Sequence, residues 1–350
     1  MTCGPTLEGS IMEVVREIRM YESRRAELAR RIAGDARVSE LMRKVDDFRS
    51  AGISVCGVDG GLLQLSLSTL DVFAARAVAV IFRYSGRVLT SVSYFPSEYV
   101  PPRFFIVREP LDSVKAGVLA GMRRQMLEAS CAAGVAGRGM ADLILLDGSV
   151  VPQYTERLSD NREFSAQYGE LMNAYAGLYS GVTDGGILLA GFVKDSRGKR
   201  FCEILTEKVD LDEEERRFLA GSRDVAILDS VLPAGWRTIA FPYAEESPAP
   251  LSDLGSWARG VHIFYMRASE FDRPFRVEFL STRGSPEETA DRISSVLGFL
   301  LSFGLGASIP PVLLEADLRA RLREEASWIQ DRILDGVGPR FLTRRERRPL

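Results

Sequence analysis

The chain has 350 residues, of which 46% are hydrophobic and 27% are charged, and its net charge is −3. This composition supplies one large core but no apolar run of the roughly 18 residues that cross a membrane, and it leaves no overall basic surface of the kind that many nucleic-acid-binding domains carry. The four cysteines lie far apart with no CxxC pair, which argues against a zinc knuckle or disulfide framework and favours a cytoplasmic protein with reduced thiols.

The first predicted element is a helix from Glu8 to about Asp47, which makes residues 1–50 an N-terminal helical extension. Its opening residues are charged and lack the apolar core of a signal peptide. Arginines occupy most of its faces, and one stripe is apolar, which is typical of an amphipathic helix. That stripe needs a surface to cover it, either the chain's own core or another subunit. Its members are Ile11, Val14, Val15, Ile18 and Met20.

Four strands are predicted next, ahead of a proline-bearing connection. The stretch ISVCGVDGGLLQLSLS (residues 53–68) is interpreted as a strand, a DGG turn and a second strand, because apolar and polar residues alternate after the glycines. ARAVAVIFRY (75–84) and VLTSVSYF (88–95) follow as the third and fourth strands, and residues 96–110 form the connection.

A helix and a buried strand complete the first half of the fold. Asp112 is predicted to cap a helix of about 20 residues that ends near Gly134, and ADLILLDGSV follows as a strand. Antiparallel strands, then a helical crossover to a parallel strand, are the opening of a ribonuclease H-like fold. We therefore predict an α/β protein with a ribonuclease H-like core, a mixed sheet flanked by helices, and helical extensions at both termini.

The second half predicts further helices and strands of the same core, which we place at residues 51–335. A long helix contains LMNAYAGLYSG, and a strand GGILLAGFVKDS follows it. VHIFYMRA and PFRVEFLS form a strand pair, and SPEETADRISSVLGFLLSFG is a well-capped helix. LLEADLRARLREEASWIQDRIL is a last helix, and residues 336–350 form a basic C-terminal tail.

Two aspartates, Asp59 and Asp147, each follow a strongly apolar run and precede a glycine. Asp-Gly is a common turn signal, and this interpretation stays open for either position taken alone. Both runs are too apolar for an exposed edge strand, however, and no alternating strand follows DGSV. Asp147 is expected at the end of a central strand, where α/β sheets place their ligands. The glycine after each aspartate would let a phosphate or a metal approach the backbone.

Two carboxylates held close together repel each other unless a cation lies between them. Hard oxygen ligands suit Mg²⁺ or Mn²⁺, which can activate water for attack on a phosphodiester. Glu128, on the helix between the two aspartate strands, is the candidate for a third carboxylate; the alternative is a solvated helical glutamate. The single histidine, His262, excludes a multi-histidine metal site and is predicted to be a partly buried strand residue.

These motifs together resemble the NurA family, the archaeal and bacterial nucleases that partner the HerA translocase. The resemblance rests on VDGG, the helix glutamate, DLILLDGSV, GFVKDS and PFRVEF, and it spans roughly Val55 to Ile333. It implies a ribonuclease H-like homodimer with Mn²⁺-dependent nuclease activity (Mg²⁺ is possible), 5′–3′ exonucleolytic and single-strand endonucleolytic, that resects DNA ends with a hexameric HerA-type ATPase. Asp59, Glu128 and Asp147 match the family's metal-binding acids. Gly61 departs from the family's usual VDGS, whose serine is not a ligand.

The resemblance adds three site residues, each with an alternative. Lys194 matches a family lysine that could contact phosphate, or it is a strand-end surface lysine. Tyr265 matches an active-site tyrosine, or it is a core aromatic. Asp317 falls where the family often has a histidine in its final helix; it is either a fourth acidic metal ligand or a solvated acid paired with Arg321 four residues later. For Arg276 a structural and a phosphate-binding role both stay open.

The sequence thus predicts a metal-dependent deoxyribonuclease, with two alternatives. One is a non-catalytic ribonuclease H-like module that binds DNA and a translocase, although three intact acids argue against it, because buried carboxylates without partners are costly. The other is phosphoryl transfer from ATP, for which GVTDGG (181–186) is a weak phosphate-loop candidate. The 40 arginines among 45 basic residues suit nucleic acid, but a G+C-rich genome or a thermophilic lifestyle explains them equally.

Overall fold

The computed structural model describes residues 7–108, 112–152, 162–246, 249–303, 309–338 and 341. Its helices are α1 (Leu7–Ala33), α2 (Ala36–Ser39), α3 (Ser113–Ala136), α4 (Arg162–Gly185), α5 (Arg200–Lys208), α6 (Glu213–Gly221), α7 (Asp224–Val231), α8 (Pro286–Leu301), α9 (Pro311–Ala320) and α10 (Ala326–Val337). Its strands are β1 (Met42–Lys44), β2 (Gly52–Ser66), β3 (Asp71–Ser85), β4 (Val88–Phe95), β5 (Arg103–Val107), β6 (Leu143–Asp147), β7 (Leu188–Val193), β8 (Trp236–Thr238), β9 (Phe241–Pro242), β10 (Val261–Arg267) and β11 (Phe275–Leu280).

One mixed sheet organises the described residues. Its order is β1-β8-β10-β11-β7-β6-β2-β3-β4, with β5 added to β3 and β9 to β10. The three central strands β2, β6 and β7 are parallel, and the flanking pairs are antiparallel. Helices α3 and α4 cover one face of the centre and α8 and α9 cover the other, each through its own hydrophobic cluster. The predicted α/β fold with a ribonuclease H-like mixed sheet is confirmed.

The DGG turn predicted in the first strand is wrong. β2 runs straight through it, and Asp59, Gly60 and Gly61 pair in unbroken antiparallel register with β3. Both strands are 15 residues long, and the β3 partners are buried. Helix atoms pack against this part of the strand on both faces, Glu128 against Gly60 and Ala320 against Gly61, and they leave no room for the chain to turn there.

Two long predicted helices are also wrong in extent. The first ends at Ala33 instead of near Asp47, because Asp35 begins a separate short helix by accepting a hydrogen bond from the amide of Arg37. The chain then joins the sheet as β1, which pairs with β8. The last predicted helix is two helices, α9 and α10, which meet at residues 321–325.

Several local predictions are confirmed. Asp112 caps α3 through hydrogen bonds from the amides of Val114 and Lys115, at 3.1 and 2.9 Å. Ser285 and Glu288 form a capping box at the start of α8. β4 has the predicted bounds, and β10 and β11 form the predicted antiparallel pair. These elements follow from local periodicity and capping, which a single sequence carries.

The proline-bearing connection contains a strand, β5, and the region after Arg200 contains three short helices that the sequence patterns did not distinguish. Helices α5 to α7 pack with the C-terminal end of α1 in a third hydrophobic cluster beside β10. Most of the predicted basic tail, 339–340 and 342–350, lies outside the described residues. The domain boundaries at 50 and 335 stay predictions. Within the described ranges, each helix is too short or too polar to cross a membrane.

Candidate functional site

Asp59 and Asp147 meet at the centre of the sheet. β2 and β6 are parallel with Val58 beside Leu146, so the two aspartates are the next residues along neighbouring strands, about 5 Å apart in the backbone. Asp59 is 7% exposed, and its carboxylate accepts a hydrogen bond of 2.7 Å from the amide of Gly60. β6 ends at Asp147, whereas Asp59 lies in the middle of β2, so the parallel register of the two strands is what brings the two carboxylates together.

Glu128 lies close to these aspartates but comes from α3, which packs on the face of β2 opposite to the one that carries the Asp59 side chain. Its carboxylate lies against Gly60, where a Cβ atom would be 2.4 Å from Oε1 of Glu128. The glycine after Asp59 thus makes room for a third carboxylate of the chain itself. Our expectation that this glycine opens the backbone to a phosphate or a metal is wrong, because Glu128 and Arg124 occupy that space.

The acids act on one another electrostatically. Burial, and then the charge of Asp147, raise the pKa of Asp59 to about 6. Burial raises the pKa of Glu128 to about 8; the Arg124 guanidinium opposes this rise, while Asp59 and Asp147 add to it. Several carboxyl groups with raised pKa values in one place are typical of functional sites, because burying acids close together lowers stability and persists where their chemistry is used.

Each of these acids except Asp59 is paired closely with a cation. Nη1 of Arg124 is 2.7 Å from Oε1 of Glu128 and 3.9 Å from Oδ1 of Asp59. Nζ of Lys194, which follows β7, is 2.8 Å from Oδ2 of Asp147. Among the described residues no three acidic, histidine or cysteine side chains already enclose a point where an ion would sit. The acids are directed toward their own cations instead.

Asp317 is the fourth acid near this centre. It lies on α9 and pairs with Arg321 four residues later, as the solvated alternative predicted. Its charge also contributes to the raised pKa of Asp59, and its side chain is 30% exposed. The two interpretations of Asp317 therefore both have support: it has a helical ion-pair partner, and its charge acts on Asp59.

Tyr265 is not brought to the acids. It is completely buried on β10, and its hydroxyl donates a hydrogen bond of 2.7 Å to the buried carboxylate of Asp224. Burial, and then the neighbouring Asp224 charge, raise the pKa of the phenol well above its usual range. These contacts favour the alternative that Tyr265 is a core aromatic over the prediction that it is an active-site residue.

His262 and Arg276 have packing roles. His262 is half-buried on β10, and its Nδ1 is 3.1 Å from the carbonyl oxygen of Gly260. Burial lowers the pKa of its imidazole. Arg276 is 6% exposed, lies over the ring of Tyr243 and pairs with the buried Glu278 at 2.9 Å. For Arg276, these contacts favour the structural role over phosphate binding.

The sequence patterns missed Glu278, which supports the segment after Asp147. Its Oε2 accepts hydrogen bonds from the hydroxyl of Ser149 and, at 3.2 Å, from the amide of Val150. Gly148 in this segment has a φ of 130°, which favours glycine. The available signal was the pair Arg276 and Glu278, two opposite charges on one face of an otherwise apolar strand.

The glycine-rich stretch GVTDGG does not form a phosphate loop. It ends α4 at Gly185, and Gly186 then turns the chain with a φ of 65°. Phosphate loops place their amides at the start of a helix, where the dipole is positive. This position therefore removes the support for the ATP-dependent alternative.

The donor set fits a divalent cation. Asp59, Glu128, Asp147 and Asp317 come from four different elements and offer hard carboxylate oxygens, the ligands that Mg²⁺ and Mn²⁺ take. Burial is the main cause of the raised pKa values of Asp59 and Glu128, and the neighbouring carboxylates add to it; a cation between the acids would stabilise their charged forms. Binding would require Glu128, Asp147 and Asp317 to turn from their present cation partners toward the ion.

The mixed sheet and the acids at its centre define a protein of the ribonuclease H-like class. The family model of the NurA domain matches residues 53–322 of the chain. Because that match covers most of the sequence, the chain belongs to the NurA family. A search of curated protein sequences finds no match.

Solved structures of similar fold agree with this assignment. The NurA nuclease from Sulfolobus solfataricus superposes with a TM-score of 0.60 at 17% identity, covering 94% of this chain and 96% of that one. A crystal structure of NurA with manganese gives a TM-score of 0.60 at 11% identity, over 94% and 98% of the two chains. NurA bound to dAMP and manganese gives 0.56 at 11% identity, over 96% and 99%. At these identities the likeness establishes the fold.

Proposed function

We propose that the protein is a metal-dependent deoxyribonuclease that hydrolyses phosphodiester bonds. The observation that carries the proposal is the meeting of Asp59, Glu128 and Asp147, on two parallel strands and a crossing helix, with raised pKa values for Asp59 and Glu128. Membership of the NurA family supports it, as do the neighbouring structures described as containing manganese and dAMP. Mn²⁺ is the proposed metal, and Mg²⁺ is possible.

The residues have distinct proposed roles. Asp59 and Asp147 hold the ion from adjacent parallel strands, Glu128 completes the set from α3, and Asp317 is a fourth ligand. An ion bound there would activate water and stabilise negative charge on the phosphate oxygens. Lys194 lies at the rim of the site with its ammonium group partly exposed, where it can contact phosphate once Asp147 turns to the ion.

The finer parts of the proposal rest on the family resemblance. They are 5′–3′ exonuclease and single-strand endonuclease activity, DNA end resection in recombinational repair, a hexameric HerA-type ATPase as partner, a homodimer and a cytoplasmic location. The exposed apolar half of α1 supports the homodimer, because it leaves a surface to be covered.

The direct test is incubation of the purified protein with end-labelled single- and double-stranded DNA in Mn²⁺, Mg²⁺ or EDTA. We expect cleavage in Mn²⁺ that EDTA abolishes. The polarity follows from which label, 5′ or 3′, is released first as a mononucleotide. DNA binding without cleavage in either metal, with and without a HerA-type ATPase, would contradict the nuclease proposal. That result would favour the non-catalytic adaptor.

A further inference from the structure

Helix α9 lies with its backbone directly on β2, on the face that carries Asp59. A Cβ atom at Gly57 would be 2.6 Å from the carbonyl oxygen of Val312, and one at Gly61 would be 1.8 Å from that of Ala320. Residues two apart in a strand share a face, so Gly57, Asp59 and Gly61 all point toward α9. No side chain fits at either glycine without displacing the helix.

The two contacts have matching spacing along the strand and the helix. Four strand residues span about 13 Å. Eight helix residues, from Val312 to Ala320, span about 12 Å. Helix α9 therefore runs along β2 in the same direction, with Asp59 beneath its middle. Gly61 is the position at which the helix end comes closest.

A buried arginine holds that end of the helix. Arg76 lies opposite Gly61 in the β2–β3 register and is 6% exposed. Its guanidinium donates to the carbonyl oxygen of Ala320 at 3.0 Å and to that of Arg321, and it pairs with Glu325 at 3.0 Å. It thus binds the last carbonyls of α9, where the helix dipole is negative, and the segment leading to α10.

We propose that Arg76 is a positioning residue for the metal centre, which with Gly57 and Gly61 sets the distance of α9, and so of Asp317, from Asp59. A buried ion pair is a weak source of net stability compared with apolar residues of similar volume. Arg76 instead supplies a planar set of donors that fixes two carbonyls and a carboxylate at once. The part of the inference that concerns metal binding rests on the proposed function, whereas the part that concerns the position of α9 does not.

The test compares Arg76→Met and Arg76→Lys with Arg83→Met, an exposed arginine on the same strand. Mn²⁺ affinity is measured by electron paramagnetic resonance of free Mn²⁺, and α9 order by hydrogen exchange. We expect Arg76→Met to raise the Mn²⁺ dissociation constant about tenfold and to speed exchange in α9. Arg76→Lys should have smaller effects on the Mn²⁺ dissociation constant and on exchange in α9, because lysine retains the charge but not the planar guanidinium. Arg83→Met should change neither the dissociation constant nor the exchange rate.

A double-mutant cycle separates positioning from general loss of structure. Asp317→Ala should weaken Mn²⁺ binding, and Arg76→Met should add little to it in that background, because Arg76 acts through Asp317. Additive losses, or unchanged exchange in α9, would overturn the inference. If the unmodified protein binds no Mn²⁺, the proposed function fails, while the exchange measurement still decides whether Arg76 fixes α9.

A second variant tests the glycine contact. Gly61→Ala should shift α9 and weaken Mn²⁺ binding as Arg76→Met does. Gly169→Ala is the matched control, since that exposed glycine on α4 has open space around its Cβ position. Wild-type Mn²⁺ affinity in folded Gly61→Ala would contradict the proposed role of the contact.

Discussion

At the residue scale, the carboxylates of Asp59 and Asp147 should be essential to cleavage. Replacing either with asparagine removes a charged ligand while keeping the shape, so we expect less than about a tenth of wild-type cleavage. The fold should survive, and the melting temperature of Asp59→Asn should be unchanged or higher, since repulsion is relieved. Asp331→Asn, at an exposed position on α10, is the control. Substantial cleavage by either site variant would remove that residue from the metal set.

The raised pKa values predict how stability depends on pH. Folded Asp59 and Glu128, with pKa values of about 6 and about 8, bind protons more tightly than in the unfolded chain. Their contribution to the free energy of unfolding is therefore largest at low pH. It falls as pH rises from 3.8 to about 6 for Asp59 and from 4.5 to about 8 for Glu128, by at most about 1.4 kcal/mol per pH unit for each group.

Thermal or urea unfolding without added metal between pH 6 and 8 measures this slope. Glu128→Gln should flatten it, because an amide does not titrate. Saturating Mn²⁺ should stabilise the wild-type protein more at pH 8 than at pH 6, because the ligands must be deprotonated. An equal slope in wild type and Glu128→Gln would show that Glu128 is already ionised at pH 6.

At the element scale, Glu278 connects β11 to the segment after β6. Glu278 is 3% exposed, and its carboxylate binds the Arg276 guanidinium, the Ser149 hydroxyl and the Val150 amide. Glu278→Ala leaves a buried guanidinium without its ion pair, and we expect a loss of about 3–5 kcal/mol of unfolding free energy. Glu278→Gln should lose less, because the amide oxygen still accepts a hydrogen bond.

Urea unfolding measures this loss, and Glu270→Ala, at an exposed position in the loop between β10 and β11, is the control. Cleavage by Glu278→Ala should also fall, since the position of Asp147 depends on the segment that Glu278 holds. A loss below about 1 kcal/mol, the value of an exposed pair, would mean that Glu278 is not the anchor of this segment.

At the scale of the whole molecule, α1 is covered by the core at one end. Leu28, Ala29 and Ile32 are buried, whereas Ile11, Val14 and Ile18 are each more than half exposed. We expect a homodimer in which this apolar stripe is covered by the second copy. Replacing Val14 and Ile18 together with glutamate should shift light scattering at micromolar concentration from dimer to monomer, because each charge would have to be buried.

The matched control is Glu13→Gln with Glu17→Gln, which alters two exposed positions of the same helix without burying charge. The control should remain dimeric. A wild-type monomer at micromolar concentration would contradict the proposed dimer, and a dimer that survives the glutamate pair would place the interface elsewhere.

The sequence by itself predicted the central strands, the crossover helix α3 and the three acids of the candidate centre. Apolar periodicity, the Asp112 cap and the Ser285 capping box are local signals, and local signals specify elements. Two apolar runs that each lead into an aspartate were enough to predict that Asp59 and Asp147 lie side by side, although only β6 ends there and β2 continues to Ser66. Glu128 followed because the crossover helix packs on the same strands.

The tertiary structure decided what surrounds those acids. VDGG has the pattern of a turn, yet Gly60 and Gly61 stay in the strand because Glu128 and the end of α9 fill the space beside them. The sequence around Tyr265 suits an active-site tyrosine and a core aromatic equally well. The hydrogen bond from its hydroxyl to the buried Asp224 favours the core aromatic. The partners of a buried charge and the atoms beside a glycine come from residues distant in sequence, and local periodicity carries no information about them.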